Sequence, residues 1–198
     1  IGGKTGVDLP RGKNLVGTFY QPWGVLVDPL VLRTLPLRDL RAGLAEAVKY
    51  GAIADPDFCV FLEEHTKDIL RRDSEALREV ILRSCAAKAR FVVEDETEQT
   101  GVREGLNFGH TFGHALEVAS GFRRFRHGEA VSIGMVAAAH LSVGLGAAGG
   151  EALRELEHLL GKIGLPVRAP GLDRDAILSA MAVDKKAREE GLRFVVLD

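Results

Sequence analysis

The chain has 198 residues, enough for one sizeable core and at most two small domains. Hydrophobic residues make up 46% of it and charged residues 27%, which is the balance of an ordinary globular protein. The net charge of −2 gives no overall electrostatic reason to bind nucleic acid or an anionic membrane, so we expect neither as a partner.

The first 24 residues are rich in Gly, Pro and Asn and predict an irregular backbone. Residues 24–28 form a short apolar run between turn residues, which predicts a buried strand. We therefore expect residues 1–38 to form a small α/β remnant in front of a helical domain.

Gly3, Lys4 and Thr5 resemble the end of a phosphate-binding P-loop, but Pro10 follows where that motif must open a helix. The P-loop interpretation is therefore rejected. What remains is a set of donors on a glycine-rich backbone, which either hold an anion or lie on a solvated loop. These donors are Lys4, Lys13 and Asn14.

From Pro36 onward the apolar residues recur at helical spacing, and residues 39–198 are expected to form a helical domain. Asp73 and Asp173 are suited to cap helices that follow them. Helices are predicted over 37–53, 57–70, 74–93, the stretch around 110–114, 129–145, 151–163 and 174–188, and a strand over 194–198.

The sequence predicts a cytoplasmic protein without a membrane span. Residues 130–150 carry no formal charge and have roughly the length of a spanning helix. They are built from Ala, Gly, Ser and Val with His140 among them, which favours a helix buried in protein. Cys59 and Cys85 are isolated from each other, as is usual in a reducing compartment.

The most informative stretch runs from Asn107 to His114 and continues, after a gap, with His127. His110 and His114 are four residues apart and share a helix face, a spacing that suits two ligands of one metal. The glycines at 109 and 113 are expected to leave open space around the rings for a metal or an anion.

A third imidazole, His127, is expected to arrive from the loop that opens the apolar helix. The positive end of that helix should keep the ring neutral and able to bind a metal. Three protein ligands with one open position are typical of catalytic zinc, and Glu46 is the best oxygen ligand available. The other histidines, His65, His140 and His158, are expected to be structural or solvated.

Glu46 and Lys49 lie three apart among apolar residues of a predicted helix. A buried carboxylate is costly unless it pairs with a cation or a metal, which favours a site role over a surface ion pair. Lys88 shares a helical stripe with Cys85 and Val92. Its side chain either extends along the core to solvent or meets a buried anion.

Taken together, these motifs resemble those of the 3-dehydroquinate synthase family. The matching runs are 2–8, 12–14, 41–46 with Lys49, 107–114, 127–129 and 184–186. They cover essentially the whole chain in order and at matching intervals. The resemblance implies a mainly α chain, the helical metal- and substrate-binding domain of an α/β + α fold.

The resemblance also implies a phosphate-eliminating lyase of the shikimate pathway, which leads to chorismate and the aromatic amino acids. Such an enzyme uses NAD and a divalent metal, zinc or cobalt, to convert the sugar-phosphate acid DAHP into 3-dehydroquinate and phosphate. Oxidation of a substrate alcohol makes the neighbouring C–H acidic enough for phosphate to leave, and reduction, ring opening and aldol closure follow. We expect a homodimer in the full-length protein.

Residue by residue, the resemblance implies that Glu46, His110 and His127 hold the metal and that His114 is an acid–base and phosphate-contacting residue. Arg103 is the kind of donor suited to a substrate carboxylate. Substrate contacts are expected from Lys4, Asn14, Lys49, Lys88, Arg103, Asn107, His114 and Lys185, with catalytic roles for His114, Lys49, Arg103 and Asn107. NAD contacts are expected from Lys13 and the turn Val31, Leu32, Arg33 and Thr34.

The sequence departs from the family in two ways. We expect the chain to be a fragment that lacks the N-terminal nucleotide-binding half and that alone binds NAD poorly and is inactive. The acidic turn at 95–101 is one residue longer than usual, which leaves a catalytic role for Glu98 open.

Three alternatives remain: a related sugar-phosphate cyclase of secondary metabolism, a metal-dependent polyol dehydrogenase, and a non-catalytic metal-binding helical module. Arg103, Asn107 and His114 favour the carboxylate-bearing substrate over those of the related cyclases. Glu46 stands where the dehydrogenases use aspartate, which argues against that class.

Overall fold

The computed structural model describes residues 2–9, 12–187 and 193–197, with the side chains of residues 8, 12–15 and 183–187 outside that description. Within these residues a short hairpin precedes eight α-helices, which confirms the mainly α prediction. The strands are β1 (Val7–Leu9) and β2 (Gly12–Val16). The helices are α1 (Leu37–Ala54), α2 (Pro56–Glu64), α3 (Thr66–Leu70), α4 (Ser74–Glu94), α5 (His110–Ala119), α6 (His127–Gly144), α7 (Gly150–Ile163) and α8 (Arg174–Ala187), with 3₁₀ helices at Pro29–Thr34 and Val102–Asn107.

Helix α6 lies at the centre of the helical part and packs against α1, α5 and α7. Every residue from Ala130 to Val136 is buried, so the helix has no solvent face over that stretch. This surrounding protein explains why the segment lacks charges, as the sequence predicted. Among the described helices, none combines the length and the apolar character needed to span a membrane.

Helices α1 and α5 approach α6 so closely that backbone touches backbone. A Cβ atom at Gly128 would lie 1.9 Å from the Ala42 carbonyl oxygen, and one at Gly134 would lie 2.0 Å from the Gly109 carbonyl oxygen. Gly113 likewise meets the α6 backbone, where a Cβ would lie 3.2 Å from a Cα atom. The prediction of open space at residues 109 and 113 is therefore wrong, because α6 fills it.

Most helix ends agree with the sequence to within a residue or two. Asp73 caps α4 as predicted, since its Oδ1 accepts the N–H groups of Glu75 and Ala76 at 3.1 and 3.0 Å. The helix predicted over 57–70 is instead two helices that meet at His65. The Thr66 hydroxyl donates to the carbonyls of the preceding turn at 2.6 and 3.1 Å, a contact that competes with the regular helix pattern.

The N-terminal predictions are largely wrong. The segment expected to be irregular contains the antiparallel pair β1 and β2, extended by a bridge between Lys4 and Phe19. Residues 24–28 form no strand, and Leu26 is 96% exposed. Apolar sequence alone does not make a strand, because the backbone also needs a partner edge, and the hairpin strands pair with each other.

The predicted C-terminal strand is also wrong over the described residues 193–197. There the Leu197 N–H donates to the Ser142 hydroxyl of α6 at 2.9 Å instead of to a neighbouring strand. The proposed boundary between residues 38 and 39 stays a prediction.

The glycine contacts yield a direct test. Gly134→Ala should destabilise the full-length protein by about 1–3 kcal/mol, because the new methyl group forces α5 and α6 apart. Gly144→Ala is the matched control: it lies in the same helix, and a Cβ there meets nothing within 4 Å. It should be neutral or stabilise by up to about 1 kcal/mol. Thermal and denaturant unfolding measure both, and equal stability of the two variants would contradict the packing argument.

Candidate metal and substrate site

Three helices each bring one potential metal ligand to a common point. Glu46 lies in the middle of α1, while His110 and His127 are the first residues of α5 and α6. Glu46 Oε1 is 3.4 Å from His110 Nε2 and 3.7 Å from His127 Nε2. Ligands of a tetrahedral zinc, each about 2.0–2.1 Å from the metal, lie about 3.4 Å from one another. The separations in this group therefore suit one divalent ion.

The carboxylate of Glu46 supplies a second reason to expect a cation. Its Oε2 accepts a hydrogen bond from Lys49 Nζ at 2.5 Å. Its Oε1 is buried and makes no hydrogen bond within the described part of the chain. An unpaired buried carboxylate oxygen is costly, and this one faces two imidazole nitrogens. The donor set thus fits a metal.

The charges around Glu46 keep it ionised. Burial raises the pKa of Glu46, but the His110 imidazole and the Lys49 ammonium outweigh burial and bring that pKa down to about 2. Burial lowers the pKa of Lys49, which is 3% exposed, and Glu46 opposes that effect. Burial also raises the pKa of Tyr50 to about 12, so its phenol is neutral at physiological pH.

Backbone and carboxylate acceptors orient the two histidines. His110 Nδ1 lies 3.2 Å from the Phe108 carbonyl oxygen, and His127 Nδ1 lies 3.2 Å from Glu117 Oε2. Because both acceptors can only accept, the neutral form of each ring that makes this contact carries its proton on Nδ1 and has its lone pair on Nε2, on the side of Glu46. The hydrogen bond that His127 donates to Glu117 raises the pKa of His127. Glu117 therefore opposes the effect of the helix end, which we expected to keep this ring neutral.

His114 lies beside this group rather than within it. Its ring is 5.5 Å from that of His110 and 5.9 Å from that of His127, measured between centroids. In the described chain, His114 instead forms a second potential ligand group with Glu117 and His127. The i,i+4 spacing of His110 and His114 therefore does not bring both rings to Glu46.

A cluster of three cations, Lys4, Lys88 and Arg103, lies at the N-terminal segment, and the charge of Lys88 adds to burial in lowering the pKa of Lys49. The backbone of Gly2 lies against Arg103 and Lys88, since a Cβ there would be 2.7 Å from Arg103 Nη2 and 3.5 Å from Lys88 Cε. Glu98 forms an ion pair with Lys4 and lies 3.5 Å from Arg103 Nε. The structure thus brings residues of the N-terminal segment together with those that follow α4.

Arg103 is 2% exposed, and the chain itself uses much of its hydrogen-bonding capacity. The guanidinium donates to the Gly2 carbonyl at 2.7 Å and to the Glu96 carbonyl at 2.8 Å. Its peptide N–H donates to Asp95 Oδ2 at 3.1 Å. Arg103 therefore holds the turn at 95–101 against the N-terminal segment, and its contact with a substrate carboxylate stays a prediction.

The other residues that were predicted to contact substrate or NAD are spread over several segments. Asn107 is half-buried at the end of the second 3₁₀ helix, just before α5. Residues 31–34 lie in the first 3₁₀ helix, where Arg72 Nε donates to the Leu32 carbonyl at 2.9 Å. The side chains of Lys13, Asn14 and Lys185 lie outside the described residues. The backbone of Lys185 belongs to α8, which packs against α5.

Sequence reasoning missed two residues that organise this site. Glu117 was not singled out, although a carboxylate between apolar residues of a helix is the same signal that drew attention to Glu46. Asp95 was named only as part of an acidic turn. Its carboxylate accepts N–H groups from Gln99, Thr100 and Arg103, a pattern visible only once the turn is folded.

Residues 43–187 match the family described as 3-dehydroquinate synthase C-terminal, and residues 1–42 match the one described as 3-dehydroquinate synthase N-terminal. A 3-dehydroquinate synthase of Methylococcus capsulatus (strain Bath) is 54% identical over 198 residues. That alignment covers 100% of this chain and 55% of the relative. The chain thus spans about half the length of the curated relatives it matches.

Two solved structures share the fold. ValA, a 2-epi-5-epi-valiolone synthase from Streptomyces hygroscopicus subsp. jinggangensis 5008 with NAD⁺ and Zn²⁺ bound, matches with a TM-score of 0.88 at 30% identity. The match covers 100% of this chain and 55% of the ValA chain. A 2-deoxy-scyllo-inosose synthase complexed with carbaglucose-6-phosphate, NAD⁺ and Co²⁺ matches with a TM-score of 0.80 at 32% identity, over 91% of this chain and 49% of its own.

Metal titration tests the ligand group. Glu46→Gln, His110→Ala and His127→Ala should each weaken zinc binding to the full-length protein by more than about 100-fold, since even the loss of a residue behind a ligand costs about 10- to 100-fold. His158→Ala is the control, because that ring is 64% exposed and pairs with Glu63 away from the group. Competition with a chelator measures the affinity. Unchanged affinity in all three variants would refute the ligand set.

Acid unfolding tests the turn that holds Arg103. Burial raises the pKa of Asp95, but the N–H groups of Arg103, Thr100 and Gln99 outweigh burial and lower it overall. A carboxyl group whose pKa is lowered in the folded state stabilises the protein at pH values above the ordinary Asp pKa of about 3.9. That stabilisation is lost as the pH falls through the lowered pKa.

Asp95→Asn should therefore unfold at a lower temperature than wild type at about pH 7, and the difference should shrink towards about pH 3. Asp68→Asn, at an exposed position of α3, is the control and should change little at either pH. Thermal unfolding over that pH range is the measurement. A gap between wild type and Asp95→Asn that is constant with pH would contradict the assignment.

Proposed function

The chain belongs to the 3-dehydroquinate synthase family, and from that membership we propose that it supplies the metal- and substrate-binding part of a 3-dehydroquinate synthase. The proposed reaction converts DAHP into 3-dehydroquinate and phosphate with NAD and a divalent metal. The observation that carries the proposal is the buried Glu46 oxygen facing His110 and His127, with Lys49 on the other oxygen of the same carboxylate.

Glu46, His110 and His127 would hold the metal. Two imidazoles and one carboxylate form a donor set typical of catalytic zinc, so zinc is the proposed ion and cobalt the alternative. When bound, the metal and NAD⁺ supply polarisation of the substrate hydroxyls and acceptance of a hydride. The chain's own residues then have to position the substrate, neutralise its charge and move protons.

Lys49 has two roles in the proposed site. Its ammonium holds Glu46 Oε2 at 2.5 Å, so that Oε1 stays turned towards the histidines. It also places a positive charge in a buried position next to the potential metal ligands. A fixed charge in such surroundings stabilises a developing negative charge on a substrate oxygen more strongly than it would in water.

The cation cluster is proposed to bind the acidic groups of the substrate. Lys4, Lys88 and Arg103 converge on the N-terminal segment, with Glu98 between Lys4 and Arg103. A substrate that carries both a carboxylate and a phosphate suits a cluster in which cations outnumber carboxylates. In this proposal, a substrate anion takes over contacts that Glu98 makes with these cations.

His114 is the proposed proton carrier beside the phosphate. Its side chain is exposed and its ring lies within 6 Å of the His127 ring, at 5.9 Å between centroids. An imidazole that is not a metal ligand can both donate and accept a proton. Lys13 and residues 31–34 are the proposed NAD contacts. The hydrogen bond from Arg72 Nε to the Leu32 carbonyl fixes residues 31–34 against the turn that precedes α4.

A related sugar-phosphate cyclase is the second candidate. It is favoured by one observation: both solved structures reported above are cyclases named for other products. Fold likeness does not select the substrate, because one fold supports several chemistries. The higher identity to a 3-dehydroquinate synthase, 54% against 30% and 32%, supports the first candidate.

A substrate assay separates the two candidates. The protein produced from its full reading frame should release phosphate from DAHP when NAD and zinc are supplied, and should leave sedoheptulose 7-phosphate unchanged. The physical reason is the cation cluster, which would leave charges unpaired beside a substrate that lacks the carboxylate. Phosphate release is the measurement. Turnover of sedoheptulose 7-phosphate alone would overturn the first proposal.

A matched pair of variants locates the substrate in the same assay. Lys88→Met should raise KM for DAHP by about 10-fold or more, because a hydrogen bond to a charged group is lost. Lys67→Met, at an exposed position of α3, is the control and should leave KM unchanged.

A further inference from the structure

Glu117 is a buried carboxylate that the proposed reaction does not use. It lies on α5, is 7% exposed, and follows the buried residues Ala115 and Leu116. Placing a carboxylate in such surroundings is costly unless its oxygens find partners. We therefore expect Glu117 to have a partner that makes its burial favourable.

His127 is that partner. Glu117 Oε2 lies 3.2 Å from His127 Nδ1, a contact that joins the last turn of α5 to the first turn of α6. A carboxylate only accepts hydrogen bonds, so this contact requires the proton to be on Nδ1. The lone pair of the neutral ring is then on Nε2, the atom that lies 3.7 Å from Glu46 Oε1.

His127 belongs to two potential ligand groups at once. One is the group with Glu46 and His110, and the other is the group with His114 and Glu117. A neutral imidazole has one nitrogen with a free lone pair, so the ring can serve only one of these groups at a time. Whatever sets the position of its proton also decides which group binds a metal.

We propose that Glu117 is a positioning residue that selects between these two metal positions. By holding the proton on Nδ1 of His127, it turns Nε2 into the ligating atom and directs the metal to Glu46 and His110. The same hydrogen bond uses one of the two Glu117 oxygens, Oε2. The inference rests on the proposed metal site and adds to it a residue that acts through a ligand.

Two variants of the full-length protein test this role. Glu117→Met removes every acceptor at similar length and should weaken zinc binding by about 10- to 100-fold. Glu117→Gln keeps an amide oxygen that can accept from Nδ1, so it should lose less affinity than Glu117→Met. Met and Gln both form helices well, so neither variant should disrupt α5. Competition with a chelator measures zinc affinity, with the ligand variants Glu46→Gln and His110→Ala measured alongside.

A second measurement reports the tautomer directly. Long-range ¹H–¹⁵N spectra of histidine-labelled, zinc-free protein at mildly alkaline pH show which ring nitrogen of His127 carries the proton. Wild type should show the proton on Nδ1, and Glu117→Met should lose that preference. A purely structural role for Glu117 would leave the tautomer unchanged.

Glu129→Gln is the matched control, because it perturbs the same end of α6 without touching an imidazole. Glu129 accepts from Arg38 Nε at 2.6 Å and from the Arg126 N–H at 2.9 Å. Its loss should lower thermal stability, leave zinc affinity within about threefold of wild type and keep the His127 tautomer.

The outcomes are distinct. Reduced affinity with a changed tautomer in Glu117→Met, and neither change in Glu129→Gln, supports the proposal. Wild-type affinity in both Glu117 variants overturns it, as does an equal loss in Glu129→Gln, which would show a general loosening of α6. If Glu46→Gln and His110→Ala also bind zinc like wild type, the proposed metal site itself fails. Failure of the Glu117 inference alone leaves those two variants impaired.

Discussion

The backbone contact of α6 with α1 and α5 is the constraint on which the site depends. Gly128 lets α6 reach the Ala42 carbonyl, and Gly134 lets it reach the Gly109 carbonyl. Each contact is next to a potential ligand: His127 precedes Gly128, His110 follows Gly109, and Glu46 lies one helical turn beyond Ala42. A side chain at either glycine would separate these helices, and the three ligands with them.

The charged groups of the site form a chain in which each group depends on the next. Lys49 holds one oxygen of Glu46, the other oxygen faces His110 and His127, and Glu117 holds the far nitrogen of His127. Removing one member of this chain leaves the charge of its partner uncompensated, which destabilises the site. A metal between Glu46 and the two rings would complete the chain, because it satisfies the remaining buried oxygen.

The N-terminal segment is part of the same arrangement. Arg103 donates to the Gly2 carbonyl, and the Asp95 carboxylate holds the turn from which Arg103 and Glu98 extend. Lys4 therefore meets Glu98, although the two belong to different parts of the chain. The segment expected to be a remnant of another domain thus contributes Lys4 to the cation cluster.

The sequence by itself determined the helices, the cap at Asp73, the buried nature of α6 and the likeness to a family of metal- and NAD-dependent enzymes. These depend on spacing along the chain, which sets the face of a helix on which a residue lies. Only the tertiary structure decided that Glu117 orients His127, that α6 fills the space beside Gly109, and that residues 24–28 lie exposed without a partner strand. The reason is that each of these depends on which distant segment packs against a given face, and local spacing carries no information about that partner.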